Sequence, residues 1–190
     1  MIDYKLGGRD FDFAGILEGL TLQLPLYLMA ASQGERTPAG MYYMPLTVPA
    51  VDDAESVAEA ARAAFRLNGL TLSDASVVLA GDRALAIGDS TVLAGVRRGE
   101  DGAFSGSVCA GGEMAQLLAY ARARSEQLFA SMLDGHIEAD PAERACAYCD
   151  YRSVCRFDPM VRGNRVRKYK KSKQAEFFMR IGGGENAVDR

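Results

Sequence analysis

No stretch of the 190 residues comes near the roughly 20 apolar residues that a membrane-spanning helix needs, so no membrane role is expected. Met1 leads straight into Ile-Asp-Tyr-Lys, without the basic segment and apolar core of a secretory leader, and a cytoplasmic chain is expected. There is no G-x-x-x-x-G-K-S/T, which excludes ATP binding through a P-loop in this chain. Histidine is almost absent. His136 is the only one and follows Gly135, where a surface or helix-capping place accounts for it better than metal ligation. No internal repeat and no low-complexity segment is present.

Cysteine is scarce too, but not scattered. Of four cysteines, Cys109 stands apart, while Cys146, Cys149 and Cys155 fall within ten residues. In a reducing compartment such clustering points to metal rather than to disulfides.

The composition is otherwise that of an ordinary soluble domain, 48% hydrophobic and 25% charged. The net charge of -3 hides an asymmetry. Arg162, Arg165, Arg167, Lys168, Lys170, Lys171 and Lys173 fall in one run without an acid. Such a run either attracts phosphate backbones or is a solvated tail.

Periodicity predicts mixed α and β structure. Ile2 to Leu6 reads as a short strand, broken at Gly7 and Gly8. An apolar helix follows from about Ala14 to Ser32, with a kink expected at Pro25. Ala39 to Leu46 reads as a buried strand. A helix capped by Asp52 or Asp53 is expected to reach Leu67 and stop at Asn68-Gly69. Ser73 is expected to cap a short helix, and Val92–Val96 with Phe104–Val108 to form a hairpin. The longest helix is expected from about Glu113 to Leu133. Residues 161–190 read as a basic, flexible tail to a domain of residues 1–160, with Gly182-Gly183-Gly184 marking a flexible terminus.

Three motifs carry chemistry. On a strand, Asp3 and Lys5 project to one face and Tyr4 to the other. A carboxylate there can hold Mg²⁺, and a lysine beside it can orient water or offset phosphoryl charge. A plain surface ion pair is the competing reading. Gln23 and Tyr27, at i and i+4, share a helical face that is otherwise apolar. They serve either DNA and the metal-site network or a satisfied core edge. Cys146-x2-Cys149-x5-Cys155 is the most specific signal. Soft thiolates at that spacing suit zinc or an iron–sulfur cluster, and both normally want a fourth ligand.

Together these motifs resemble the RecB family of PD-(D/E)XK nucleases. I-D-Y-K matches the D-x-K part of its metal motif, and G-L-T-L-Q-L-P-L-Y-L matches its Q-x-x-x-Y helix. C-A-Y-C-D-Y-R-S-V-C-R-F-D-P is similar to the iron–sulfur segment of AddB-type helicase–nuclease subunits. The resemblance covers nearly the whole chain. It implies an α/β, restriction-endonuclease-like mixed sheet flanked by helices, followed by the cysteine segment. It implies Asp3 as an Mg²⁺ ligand, Lys5 as the catalytic lysine, and Gln23 and Tyr27 as supports of the active site. It implies Cys146, Cys149 and Cys155 as ligands of a 4Fe–4S cluster that staples the domain.

Further expectations follow from the family. The activity is metal-dependent exonuclease action on DNA in double-strand-break repair and recombination. The partners are DNA and an A-type helicase–nuclease subunit, in a bacterial cytoplasm and at the nucleoid when acting. The family's upstream acid and upstream cysteine are not in this chain, so it is expected to be inactive alone, with its cysteines empty, zinc-loaded or oxidised. Cys109 is expected to be a small core residue, with fourth-ligand duty as the alternative. Pro25, between Gln23 and Tyr27, is expected to shift their relative orientation. Two other functions compete: a catalytically silent DNA- or partner-binding module, and a zinc-stabilised interaction domain.

Overall fold

β1 (Ile2–Lys5) runs parallel to β2 (Gly40–Pro45), with Asp3 opposite Tyr43. Parallel neighbours need a crossover, and α1 (Phe13–Leu17) and α2 (Gln23–Ala31) supply it. After α3 (Ala54–Ala64) the chain returns as β3 (Asn68–Leu72), antiparallel to β2. Next come α4 (Ala75–Gly81), β4 (Gly88–Asp89), β5 (Val96–Arg98), β6 (Phe104–Gly106) and β7 (Val108–Cys109). The long α5 (Gly111–Leu133), a 3-10 turn (Ala145–Tyr148), α6 (Arg152–Cys155) and α7 (Gln174–Gly182) complete the order. This computed structural model describes residues 1–7, 10–47, 50, 54–143, 145–168 and 170–183, without the side chains of 54–56 and 148. Gly8, the expected caps Asp52 and Asp53, Tyr169 and Gly184 lie outside the described residues.

The main sheet has the order β1-β2-β3-β7 and mixes parallel and antiparallel pairs. Alternation along its strands separates two cores. Met41, Tyr43, Leu70 and Cys109 join Leu24 and Leu28 of α2, Met114, Leu117 and Ala121 of α5, and Phe177 and Phe178 of α7. On the other side, Val108 packs with Val78 of α4 and with Leu85, Leu93 and Val96 around the small β4-β5-β6 sheet. The result is the expected α/β class, a mixed sheet flanked by helices.

The structure corrects several expected elements. The single kinked helix is two helices. Gly19, at φ +77, breaks the run before Pro25 does. Pro25 is the third residue of α2, in the first turn, where a backbone N–H has no helical partner to lose. It starts the helix rather than bending it. Asn68-Gly69 does not stop a helix but opens β3. Gly69 is needed there for closeness, because a Cβ would sit 1.9 Å from the Met41 carbonyl oxygen.

Asp74, not Ser73, caps α4, accepting from the Ser76 and Val77 amides at 2.8 and 3.3 Å. The hairpin forms, but from Val96–Arg98 and Phe104–Gly106. The flexible tail is overturned over Gln174–Gly182, which forms α7. Phe177 is fully buried and stacks edge-on against Tyr120 and Phe178. The local composition of residues 162–173 masked this amphipathic turn.

Candidate active site

Asp3 and Lys5 point to the same face of β1, and Tyr4 is exposed on the other. Lys5 Nζ lies 2.8 Å from Asp3 Oδ2, with the two side chains 26% and 16% exposed. The contact is a charge pair without hydrogen-bond geometry. Asp3 Oδ2 is shielded from solvent and has no hydrogen-bond donor. The Lys5 ammonium beside it offsets its charge.

Lys5 Nζ donates to Gln23 Oε1 at 3.0 Å. Gln23 Nε2 in turn donates to Tyr27 Oη at 3.1 Å. Pro25 therefore does not divide Gln23 from Tyr27; one helical turn brings them together. The four sequence-predicted residues form one connected chain, from the sheet edge to the first two turns of α2. Lys5 also stands 5.8 Å from the centroid of the Tyr43 ring, within cation–π range. The parallel β1–β2 register fixes this geometry, since Leu24 and Leu28 anchor α2 over Met41 and Tyr43.

Sequence reasoning missed the neighbours of this chain. Asp3, Tyr43 and Asn68 form one row across β1, β2 and β3. Asn68 Nδ2 donates to Asp10 Oδ1 at 3.3 Å. Asn68 and Asp10 border a hollow of about 680 Å³ that also takes in Phe11, Thr21 and Lys171. The alternation of Leu70 and Leu72 around Thr71 was the available strand signal, but Asn68-Gly69 hid it.

Of the basic run, Arg162, Arg165, Lys168, Lys170, Lys171 and Lys173 are exposed. Arg167 differs. It is engaged by Glu18 and Asp140, at 3.0 and 2.9 Å.

Cys146, Cys149 and Cys155 border one hollow of about 260 Å³, with Asp140, Pro141 and Phe157. None of the three is in a disulfide. Among the described residues, no three His, Cys, Asp or Glu side chains are arranged to hold a metal ion. The donor type fits a thiolate-bound centre; the number and present arrangement of donors do not complete one.

Cys109 is buried in the main core. Burial, and then the Glu113 carboxylate, push its thiol up to about 12. It is the small core residue expected, remote in character from a thiolate ligand. His136 Nδ1 meets the Ser131 carbonyl at 3.3 Å, just past the end of α5.

β1 of the mixed sheet thus sets a carboxylate and a lysine side by side, braced by α2. The sequence pattern of the PD-(D/E)XK nuclease superfamily matches residues 1–156, and the chain belongs to that superfamily. It is similar to the B-type subunit of the ATP-dependent helicase/deoxyribonuclease of Moorella thermoacetica, 37% identical over 88% of this chain and 16% of that protein. The proteins of the same name from Alkaliphilus metalliredigens and Bacillus mycoides are 28% and 31% identical, each over 95% of this chain and 17% of theirs. The chain thus spans about a sixth of the length of these curated relatives.

Proposed function

We propose that this domain hydrolyses DNA phosphodiester bonds with a divalent cation, Mg²⁺ by preference, held in part by Asp3. The observation that carries this is the connected chain Asp3–Lys5–Gln23–Tyr27, in which the shielded Asp3 Oδ2 faces the Lys5 ammonium. Mg²⁺ suits one or two carboxylates, with water and phosphate oxygens completing its shell. When bound, it supplies neutralising charge at the scissile phosphate. Lys5 orients the attacking water and offsets the charge that develops on the phosphoryl oxygens. Gln23 accepts from Lys5 and so fixes where the ammonium stands, and Tyr27 fixes Gln23.

The DNA strand approaches along the exposed lysines and arginines. Lys171 stands at the hollow that opens beside the Asp3–Tyr43–Asn68 row. Phosphate contacts there position the strand without reading its sequence.

The finer reading follows the relatives, whose name makes them one component of an ATP-dependent helicase/deoxyribonuclease. It is exonuclease action on DNA ends in double-strand-break repair, beside an A-type subunit, in the cytoplasm. In that setting Cys146, Cys149 and Cys155 would be three of the ligands of a 4Fe–4S centre, with the fourth supplied from elsewhere. The further metal ligands also come from elsewhere, since no group of three His, Cys, Asp or Glu side chains gathers around Asp3 among the described residues. On this reading the isolated chain does not cut.

The lack of a group of three metal-ligating side chains among the described residues favours the second reading, a silent DNA-binding module. One comparison separates them: cleavage and binding of linear DNA, with and without Mg²⁺, by the wild type and Lys5→Ala within a protein of the relatives' length. The nuclease reading expects binding to persist and Mg²⁺-dependent cleavage to disappear in the variant. Binding with no cleavage by any form, including one of the relatives' length, favours the silent module.

A further inference from the structure

Arg167 stands out from its basic run by its partial burial and by its two acidic partners, while exposed Arg165 reaches only Asp140, at 4.0 Å. Its Nη1 donates to Glu18 Oε2 at 3.0 Å. Its Nε lies 2.9 Å from Asp140 Oδ2 and donates to the Asp140 carbonyl at 3.1 Å. The backbone is tied as well. Arg167 N donates to the Pro141 carbonyl, and Glu143 N donates to the Arg167 carbonyl, both at 2.9 Å. These bonds form a one-residue bridge across buried Ala142. A lone surface pair contributes little. Here a guanidinium only 31% exposed faces three acceptors, and its own backbone is already fixed, so less side-chain freedom remains to be lost.

The two ends of this clamp lead to different places. Asp140 and Pro141 wall the hollow bordered by the three clustered cysteines. Glu18 closes α1, and the turn after it is stiff. Leu20 N and Thr21 N both donate to the Gly15 carbonyl, and Thr21 Oγ1 donates to the Asp12 carbonyl. That turn delivers buried Leu22 and then Gln23, the residue that accepts from Lys5.

We infer that Arg167 is a positioning residue that couples the cysteine segment to the α1–α2 turn, and through it to the Gln23–Lys5 contact. Glu18, about 150 places away in sequence, is its other half. A disturbance at the cysteine hollow is then felt at Gln23, and the reverse holds equally, because coupling between two sites is reciprocal. The catalytic meaning of Gln23 rests on the nuclease reading; the mechanical coupling does not.

Amide hydrogen exchange on the 190-residue chain tests this, using Glu18→Gln, Arg167→Gln, Arg167→Lys and the Glu18→Gln/Arg167→Gln pair. Glu18→Gln is expected to speed exchange across residues 139–157 on the order of several-fold, because Glu18 is linked to that segment through its ion pair with Arg167. Arg167→Gln is expected to speed exchange both there and across residues 19–27, with protection around Leu117 unchanged. The pair adds little to Arg167→Gln alone, and Arg167→Lys recovers part of the protection. Unchanged exchange at 139–157 in Glu18→Gln overturns the coupling, and does so even if Arg167→Gln fails to fold.

A second arm uses a fluorescent oligothymidine and the salt dependence of its binding. Arg167→Gln is expected to leave the slope unchanged, whereas Lys171→Gln makes it shallower. A shallower slope for Arg167→Gln returns that residue to phosphate binding and overturns its assignment as a clamp. If no form of the protein cuts DNA, the nuclease reading fails while the exchange result still decides the coupling.

Discussion

At the scale of single residues, Lys5 carries the most consequence. Truncating it removes the cation beside Asp3 and strips Gln23 Oε1 of its donor. Lys5→Ala is expected to lower Mg²⁺-dependent cleavage by roughly 10²- to 10³-fold in a cutting form of the protein, with DNA affinity within about twofold. Gln23→Ala is expected to do less, roughly tenfold, because the lysine stays but loses its fixed direction. A Gln23→Ala defect as large as that of Lys5→Ala would place the glutamine in direct contact with the reacting groups. Cys109 makes a prediction of another kind. Its folded value near 12 lies above the ordinary 9.0, so the folded state favours the protonated thiol. That contribution is complete below pH 9.0 and is lost as pH rises toward about 12. Melting temperatures are expected to fall across this window, and to fall less in Cys109→Ala.

At the scale of elements, α7 shows what local sequence conceals. Seven basic residues up to Lys173 suggest a solvated tail, yet Phe177 lies against Phe13 and Tyr120, which are far away in sequence. Only the folded chain brings those rings together. Phe177→Ala is expected to cost roughly 3–5 kcal/mol, read by urea or thermal unfolding. A loss under about 1 kcal/mol would mean that α7 does not pack as described. β3 was hidden for the opposite reason. Asn68-Gly69 carries strong local stop chemistry, but the Met41 carbonyl needs the space that only a glycine leaves. By contrast β1, β2 and α5 were legible, because each carries its apolar pattern within its own length. The candidate site was legible for the same reason. Asp3 with Lys5, and Gln23 with Tyr27, are pairs set by local geometry. Asn68, Asp10 and the Arg167 clamp were not, since long-range strand pairing and a bridge across 149 residues assemble them.

At the scale of the whole molecule, charge is divided rather than balanced. A net charge of -3 coexists with six exposed basic residues between Arg162 and Lys173. Phosphate binding along that run is expected to weaken steeply with salt. Each lysine or arginine removed that truly meets a phosphate lowers the logarithmic slope by roughly 0.7 to 0.9. Substituting Lys168, Lys170 and Lys171 together is therefore expected to flatten the slope by about two units or more; an unchanged slope would leave the run a solvated surface. The family, the mixed sheet and the braced Asp3–Lys5 pair all bear on one claim, that β1 and α2 build a phosphodiester-cutting centre. Its most direct test is Mg²⁺-dependent cleavage of linear DNA by the domain within a protein of its relatives' length, comparing wild type with Lys5→Ala. Cleavage that needs Mg²⁺ and disappears in the variant while binding survives is the predicted result. Equal cleavage by both proteins would contradict the assignment of the centre to Lys5 and the residues joined to it.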